Sequence, residues 1–200
     1  SRMITRDEIN PIKKKSKYHS AYMLRISKDR IKDIDNLINF AKYMKEKKFN
    51  MLTIHVYGIG DYSEEFLDRI EKEKLGVYIR YEGLASDIKT ELEKYDLVID
   101  FSLNHSFGMT YLEAIFNGKM IFGMKNQGSN EVFKEIPYSY INSYDDLLEK
   151  VRNLHKIGLE ILQKNYDIMY SKYSREAIAN KFINYISNKG GSCWWVRKRK

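Results

Sequence analysis

The stretch Leu97-Val98-Ile99-Asp100-Phe101-Ser102-Leu103-Asn104-His105-Ser106-Phe107-Gly108-Met109-Thr110-Tyr111-Leu112-Glu113-Ala114 decides the reading of this chain. A short β-branched and apolar run, Leu97 to Phe101, predicts a strand buried on both faces. A polar loop follows it and passes through Gly108. The helical pattern from Thr110 to Asn117 starts at once and stops at Gly118. Such a helix start presents unpaired backbone N–H groups and a partial positive charge, a place for a phosphate. Gly108 lets backbone and ligand approach closely, with Met109 and Thr110 supplying the first helical N–H groups. Glu113 falls one turn in, where a carboxylate on the ligand side could bond two sugar hydroxyls and one on the other side would be an ordinary solvent-facing residue.

The same alternation extends in both directions. Tyr22 to Ile26, Met51 to Tyr57 and Val77 to Tyr81 read as strands before the central one, Lys119 to Gly123 and Tyr138 to Asn142 as strands after it. Between the first two strands, Ile31, Ile34, Leu37, Ile38, Ala41 and Met44 recur at helical steps. Asp61 or Ser63 can cap the helix carrying Phe66, Leu67 and Ile70, and Ser143 with Asp146 starts a helix over Tyr144 to Leu154. Two helical patterns close the chain, Leu159 to Tyr170 and a last one beyond a cap at Ser174. Strands alternating with helices predict an α/β domain: a Rossmann-like parallel sheet of about six strands flanked by helices. Ligands of such sheets bind at the carboxyl ends of the strands. Residues 21–188 are assigned to this domain, 1–20 to a basic arm or interdomain linker, and 189–200 to a flexible basic tail that holds Trp194 and Trp195.

Composition narrows the function classes. The formal charge is +8, from 35 Lys and Arg against 27 Asp and Glu. Much of the excess sits in Lys13 to Lys17 and Arg197 to Lys200, at the ends rather than across a domain face. Tyrosines such as Tyr78, Tyr81 and Tyr140 fall in apparent core strands and read as packing residues, so nucleic-acid binding is not expected. Cys193 is the one cysteine, which rules out an internal disulfide. No apolar run approaches the ~18 residues of a membrane span. A cytoplasmic protein is expected, with peripheral membrane contact through its basic ends as an option. His55 lies mid-strand and reads as a satisfied core histidine. No His and Cys spacing suggests a metal site.

Several segments together resemble one family. Phe107-Gly108 followed by Glu113-Ala114 is similar to the C-terminal, donor-binding domain of glycosyltransferase family 4 enzymes of GT-B architecture. In that family two glutamates frame this segment, and Glu113 matches the second. Arg25 and Lys32 resemble the family's cation pair for the donor diphosphate. Val56-Tyr57-Gly58-Ile59-Gly60 resembles its glycine turn, Tyr81-Glu82-Gly83 the segment near the base, and Gln127-Gly128-Ser129-Asn130-Glu131 the small-residue loop after the fifth strand. The resemblance implies a retaining transfer of sugar from a nucleotide sugar, UDP-linked, to a glycan, lipid or protein acceptor, as in polysaccharide biosynthesis, with no metal cofactor. Arg25, Lys32 and Glu113 would be catalytic. Gly58, Gly60, Gly83, His105, Phe107, Gly108, Met109, Thr110, Gly128 and Ser129 would bind donor, with His105 and Asn126 to Ser129 facing its sugar.

Two departures stand out. His105 replaces the family's earlier glutamate, and Arg25 and Lys32 are further apart than usual, which an insertion at Lys28 to Ile31 explains and which makes Arg30 a competitor for the diphosphate. A GT-B enzyme needs an acceptor-binding half, here an N-terminal domain or a separate subunit. The alternative is a catalytically silent partner that stabilises or recruits an active transferase.

Overall fold

The computed structural model describes residues 4–103 and 109–189. Six strands form one sheet: β1 (Tyr18–Met23), β2 (Leu52–Tyr57), β3 (Ile79–Gly83), β4 (Leu97–Asp100), β5 (Met120–Met124) and β6 (Tyr140–Ile141). All pairs are parallel and the order is β3-β2-β1-β4-β5-β6. This is the doubly wound arrangement expected of strands that alternate with helices, and its direction reverses between β1 and β4. β2 and β4 are buried at every position, so their sequences are dominated by apolar and β-branched residues on both faces.

The helices are α1 (Ile31–Glu46), α2 (Ser63–Lys72), α3 (Ile88–Glu93), α4 (Met109–Phe116), α5 (Gln127–Phe133), α6 (Tyr144–Arg152), α7 (Leu159–Tyr173) and α8 (Arg175–Lys189). α1 buries Ile34, Leu37, Ile38, Phe40, Ala41 and Met44. Phe40 meets Phe101 beyond the end of β4 at a ring separation of 5.2 Å, and Phe101 meets Tyr22 edge-on at 5.7 Å. Such aromatic pairs hold a helix on its sheet with defined geometry. Ser143 caps α6 through the Asp146 N–H at 3.1 Å, and Ser174 caps α8 through the Ala177 N–H at 3.1 Å, both as the sequence predicts. Ile178, Phe182, Tyr185 and Ile186 of α8 remain exposed. No helix among the described residues is long and apolar enough to cross a membrane.

Four local readings need correction. β1 begins at Tyr18, inside the stretch read as arm, and Tyr18 and Ser20 are fully buried. Polar His19 and Ser20 interrupt the apolar pattern there. Further back, a turn of 3-10 helix (Arg6–Glu8) docks on α7: Arg6 pairs with Asp167 at 2.9 Å and the Tyr166 hydroxyl donates to the Ile4 carbonyl at 2.9 Å. Neither Asp61 nor Ser63 caps α2. Asp61 accepts the Lys28 N–H at 3.0 Å and Ser63 the Gly60 N–H at 3.1 Å. Finally, Gln127 to Phe133 is a helix, not a loop. Asn126 caps it by accepting the Ser129 N–H at 2.7 Å.

His55 is a satisfied core histidine. Its Nδ1 lies 2.7 Å from a Glu82 carboxylate oxygen and its Nε2 lies 2.9 Å from His19 Nδ1. The carboxylate only accepts, so His55 donates through Nδ1. The nitrogens facing each other across His19 and His55 have room for one proton. Burial, then the neighbouring His55, lowers the His19 pKa from 6.5, with Lys17 and Lys15 adding to the shift and Asp96 opposing it.

Two stability predictions follow from this architecture. Gly58 has φ +139°, and a Cβ there would sit 1.8 Å from the Leu24 carbonyl oxygen, whereas one at Gly76 would meet nothing within 4 Å. Backbone strain and overlap cost about 3 kcal/mol, so Gly58→Ala lowers Tm by about 6 °C or more while Gly76→Ala is near neutral. A Tm for Gly58→Ala within a degree of wild type contradicts that placement. A lowered folded-state pKa means that neutral His19 stabilises the fold above pH 6.5, and that this contribution is lost as pH falls through the lower folded value. The fall in Tm on acidification from pH 7.5 to 5.5 is therefore smaller in His19→Gln than in wild type. Parallel falls would show that His19 is not the titrating group.

Candidate functional site

The reversal between β1 and β4 opens a crevice at the carboxyl edge of the sheet. One wall is the segment that leaves β1. Arg25 lies two residues past the strand, exposed, and its guanidinium pairs with Asp29 at 2.5 Å. Ser27 also donates to Asp29 at 2.5 Å, and that bond, ahead of the pairing with Arg25, lowers the Asp29 pKa. A single turn of 3-10 helix, Lys28–Arg30, separates Arg25 from α1 and accounts for the long spacing to Lys32. Lys32 is exposed in the first turn of α1 and makes no ion pair with another described residue. Arg30 points elsewhere, to the buried carboxylate of Asp33 at 3.3 Å. Of the two competitors, Lys32 is the accessible one.

The loop after β2 braces this wall from behind. A Cβ on Gly58 would strike the Leu24 carbonyl, and one on Gly60 would lie 2.1 Å from the Ile26 oxygen. The Tyr62 N–H donates to that same Ile26 oxygen at 3.1 Å, and the Gly58 N–H to the Gly83 carbonyl at 2.7 Å. The contacts of Gly58 and Gly60 are thus with the backbone that carries Arg25. Gly83 has φ +74° and open space over its Cα.

The other wall starts at β4. Phe101, Ser102 and Leu103 leave the strand, and α4 resumes at Met109, which is exposed, with Thr110 half-buried. His105, Phe107 and Gly108 lie outside the described residues. Glu113 is half-buried and faces a cleft of about 580 Å3, bounded by the segment Ala85 to Lys89, by Leu112 and Phe116, and by Tyr173 and Arg175. That volume suits a nucleotide-sized ligand. Burial raises the Glu113 pKa. Arg25 and Lys32 do not line the cleft; they flank the crevice on its β1 side.

Beneath the loop lies a buried polar cluster that sequence reasoning missed. Asp33 accepts the Leu103 N–H at 2.8 Å, Asn36 donates to the Phe101 carbonyl at 3.3 Å, and Asn126 donates to the Ser102 carbonyl at 2.7 Å and the Tyr111 hydroxyl at 3.1 Å. The Tyr22 hydroxyl meets Ser102 Oγ at 3.2 Å. Burial, with the charge of Asp100 added, pushes the pKa values of Tyr22 and Tyr111 upward. The signal for Asp33 was present: it is a charged residue on the stripe of Leu37, Ala41 and Met44.

Gly128 and Ser129 are buried in the first turn of α5, and the Ser129 hydroxyl is engaged with the backbone of Asn126 at 2.8 and 3.1 Å. The side chains of Asn126 and Ser129 therefore point into the fold, which corrects their reading as groups facing a sugar. Tyr173, at the cleft, donates to Glu131 of α5 at 3.0 Å; burial and that bond push its pKa up to about 12. Among the described residues no three His, Cys, Asp or Glu side chains are grouped to hold a metal ion.

Comparison with known proteins bears on this geometry. The sequence profile described as glycosyl transferases group 1 matches residues 5–167. The chain is 25% identical over 165 residues to poly(ribitol-phosphate) alpha-N-acetylglucosaminyltransferase of Staphylococcus aureus, covering 78% of this chain and 33% of that protein. It is 30% identical over 160 residues to the UDP-N-acetylglucosamine--peptide N-acetylglucosaminyltransferase GtfA subunit of Streptococcus agalactiae, covering 76% and 30%. The chain thus spans about a third of the length of these curated relatives. Among solved structures it resembles S. aureus TarM crystallised with UDP, with TM-score 0.71 and 22% identity over 88% of this chain and 38% of that one. It also resembles the C-terminal domain of a group 1 glycosyl transferase (LpcC) of Francisella tularensis, with TM-score 0.60 and 19% identity over 86% of this chain and 99% of that domain. A doubly wound sheet with a carboxylate-bearing cleft at its carboxyl edge, matched by the family's profile over most of its length, means that this chain belongs to the glycosyl transferases group 1 family.

Proposed function

We propose that this chain is the donor-binding domain of a retaining, family 4-type GT-B glycosyltransferase, and that its donor is UDP-N-acetylglucosamine. The observation that carries the reading is the half-buried carboxylate of Glu113 in a nucleotide-sized cleft beside the β1–β4 crevice. Both named relatives transfer N-acetylglucosamine, one of them from UDP-N-acetylglucosamine and one with an alpha product. An alpha product from an alpha-linked donor is retention.

In this reading Glu113 accepts hydrogen bonds from the ribose hydroxyls, with the uracil against the segment Ala85 to Lys89. Arg25 and Lys32 hold the diphosphate and stabilise the charge that builds on it as the glycosidic bond to the sugar breaks. Cationic side chains, rather than a metal ion, supply that charge. The N-terminal turn of α4 faces the same group. The acceptor is held by an N-terminal domain or a separate subunit, because orienting two substrates needs both walls of a cleft. The silent-partner alternative gains nothing from relatives that carry transferase names.

Calorimetric titration tests the assignments. UDP binds saturably and more tightly than GDP or ADP. Charge-assisted hydrogen bonds contribute about 1.5–3 kcal/mol each, so replacing Arg25 and Lys32 together by Ala weakens UDP binding by about a hundredfold or more; unchanged affinity removes the diphosphate assignment. The Glu113 carboxylate takes up a proton at a higher pH than an exposed one, and only its ionised form accepts from both hydroxyls. UDP affinity therefore drops between pH 7 and 5 more steeply in wild type than in Glu113→Gln, a comparison in which titration of UDP itself cancels. Identical slopes would place the ribose elsewhere.

A further inference from the structure

We infer that Asp33 is a positioning residue of the donor site, fixing the turn of α1 that carries Lys32 against the loop that leaves β4. The inference deepens the donor-binding reading and rests on it.

Asp33 is a carboxylate that is only 3% exposed. Removing such a group from water is unfavourable unless both oxygens find partners. Here they find them on different elements. Oδ1 accepts the backbone N–H of Leu103, beyond β4, at 2.8 Å, and Oδ2 faces the Arg30 guanidinium, on the 3-10 turn leading into α1, at 3.3 Å. The position in the first turn of α1 favours a negative charge as well. One helical turn on, Asn36 takes the Phe101 carbonyl. Two side chains on one stripe of α1 thus grip the peptide groups on either side of Ser102.

Ser102 is held from the remaining directions. Its N–H donates to Asp100 at 2.9 Å, its carbonyl accepts from Asn126, and its hydroxyl meets Tyr22. Three consecutive residues are therefore anchored by side chains from β1, β4, α1 and the cap of α5. Leu103 is the last of them before the segment that leads to Met109. Of the two contacts from α1, that of Asp33 lies in the turn bearing Lys32 and reaches the residue nearest α4, so it sets the distance between a cation on one wall and the start of α4 on the other. A diphosphate spanning the two would feel its loss; a nucleoside seated only in the Glu113 cleft would not.

That difference separates positioning from mere folding. NMR titrations of wild type, Asp33→Asn and Asp33→Ala with UDP and with uridine read both affinities. Asn keeps an acceptor for Leu103 but loses the charge toward Arg30; Ala loses both. Asp33→Ala is expected to weaken UDP binding tenfold or more and uridine binding less than twofold, with Asp33→Asn intermediate for UDP. If Asp33→Ala fails to fold, Asp33→Asn carries the comparison with the same sign. Equal losses for UDP and uridine, or no loss for either, in a folded variant would overturn the inference while wild-type UDP binding leaves the donor reading standing. Absence of UDP binding by wild type would overturn both.

Discussion

Between β1 and β4 the sheet reverses its direction of growth, and the arrangement of the site depends on that reversal. Chain segments leaving the two strands turn away to opposite sides, so a crevice opens where no crossover can cover the strand ends. The charged groups proposed for the donor come from the segments on its two sides. Arg25 and Lys32 come from the β1 side, α4 and Glu113 from the β4 side. The protein must then hold two diverging segments at a fixed distance, and it does so with side-chain to backbone hydrogen bonds rather than with strand pairing.

Those bonds explain why a buried polar cluster sits in an otherwise apolar core. Asp33, Asn36, Asp100 and Asn126 satisfy backbone groups that leave the sheet and would otherwise be buried without partners, and the Tyr22 and Ser102 hydroxyls pair with each other. Satisfied networks of this kind are rigid, because each member lost strands another. The glycines after β2 act in the same cause from the other side. Gly58 and Gly60 let the loop lie against the backbone of Leu24 and Ile26, so the segment carrying Arg25 is braced on the face away from the crevice.

The fold was legible where a strand is buried on both faces, as with Leu52 to Tyr57 and Leu97 to Asp100, since burial there leaves a run dominated by apolar and β-branched residues. It was illegible where tertiary bonds replace apolar contact. His19 breaks the pattern of β1 because its partner is His55 rather than a methyl group. Gln127 to Glu131 reads as loop only through the resemblance, yet Asn126 and Ser129 form a cap that starts a helix there. For the site, the resemblance alone pointed to Arg25, Lys32 and Glu113; Glu113 lines the cleft, while Arg25 and Lys32 lie outside it on the segment that leaves β1. The structure turns the side chains of Asn126 and Ser129 inward. Asp33 escaped notice because one acidic residue on an apolar stripe looks like noise until its partner, a backbone N–H seventy residues away, is known.

A crystal structure of this chain with UDP tests the central claim most directly. The account predicts uridine in the cleft beside Ala85 to Lys89, ribose hydroxyls within hydrogen-bond reach of the Glu113 carboxylate, and the diphosphate between Lys32 and the start of α4 with Arg25 released from Asp29 toward it. UDP bound away from the β1–β4 edge, or bound there with Glu113 and Lys32 both out of contact, would contradict it.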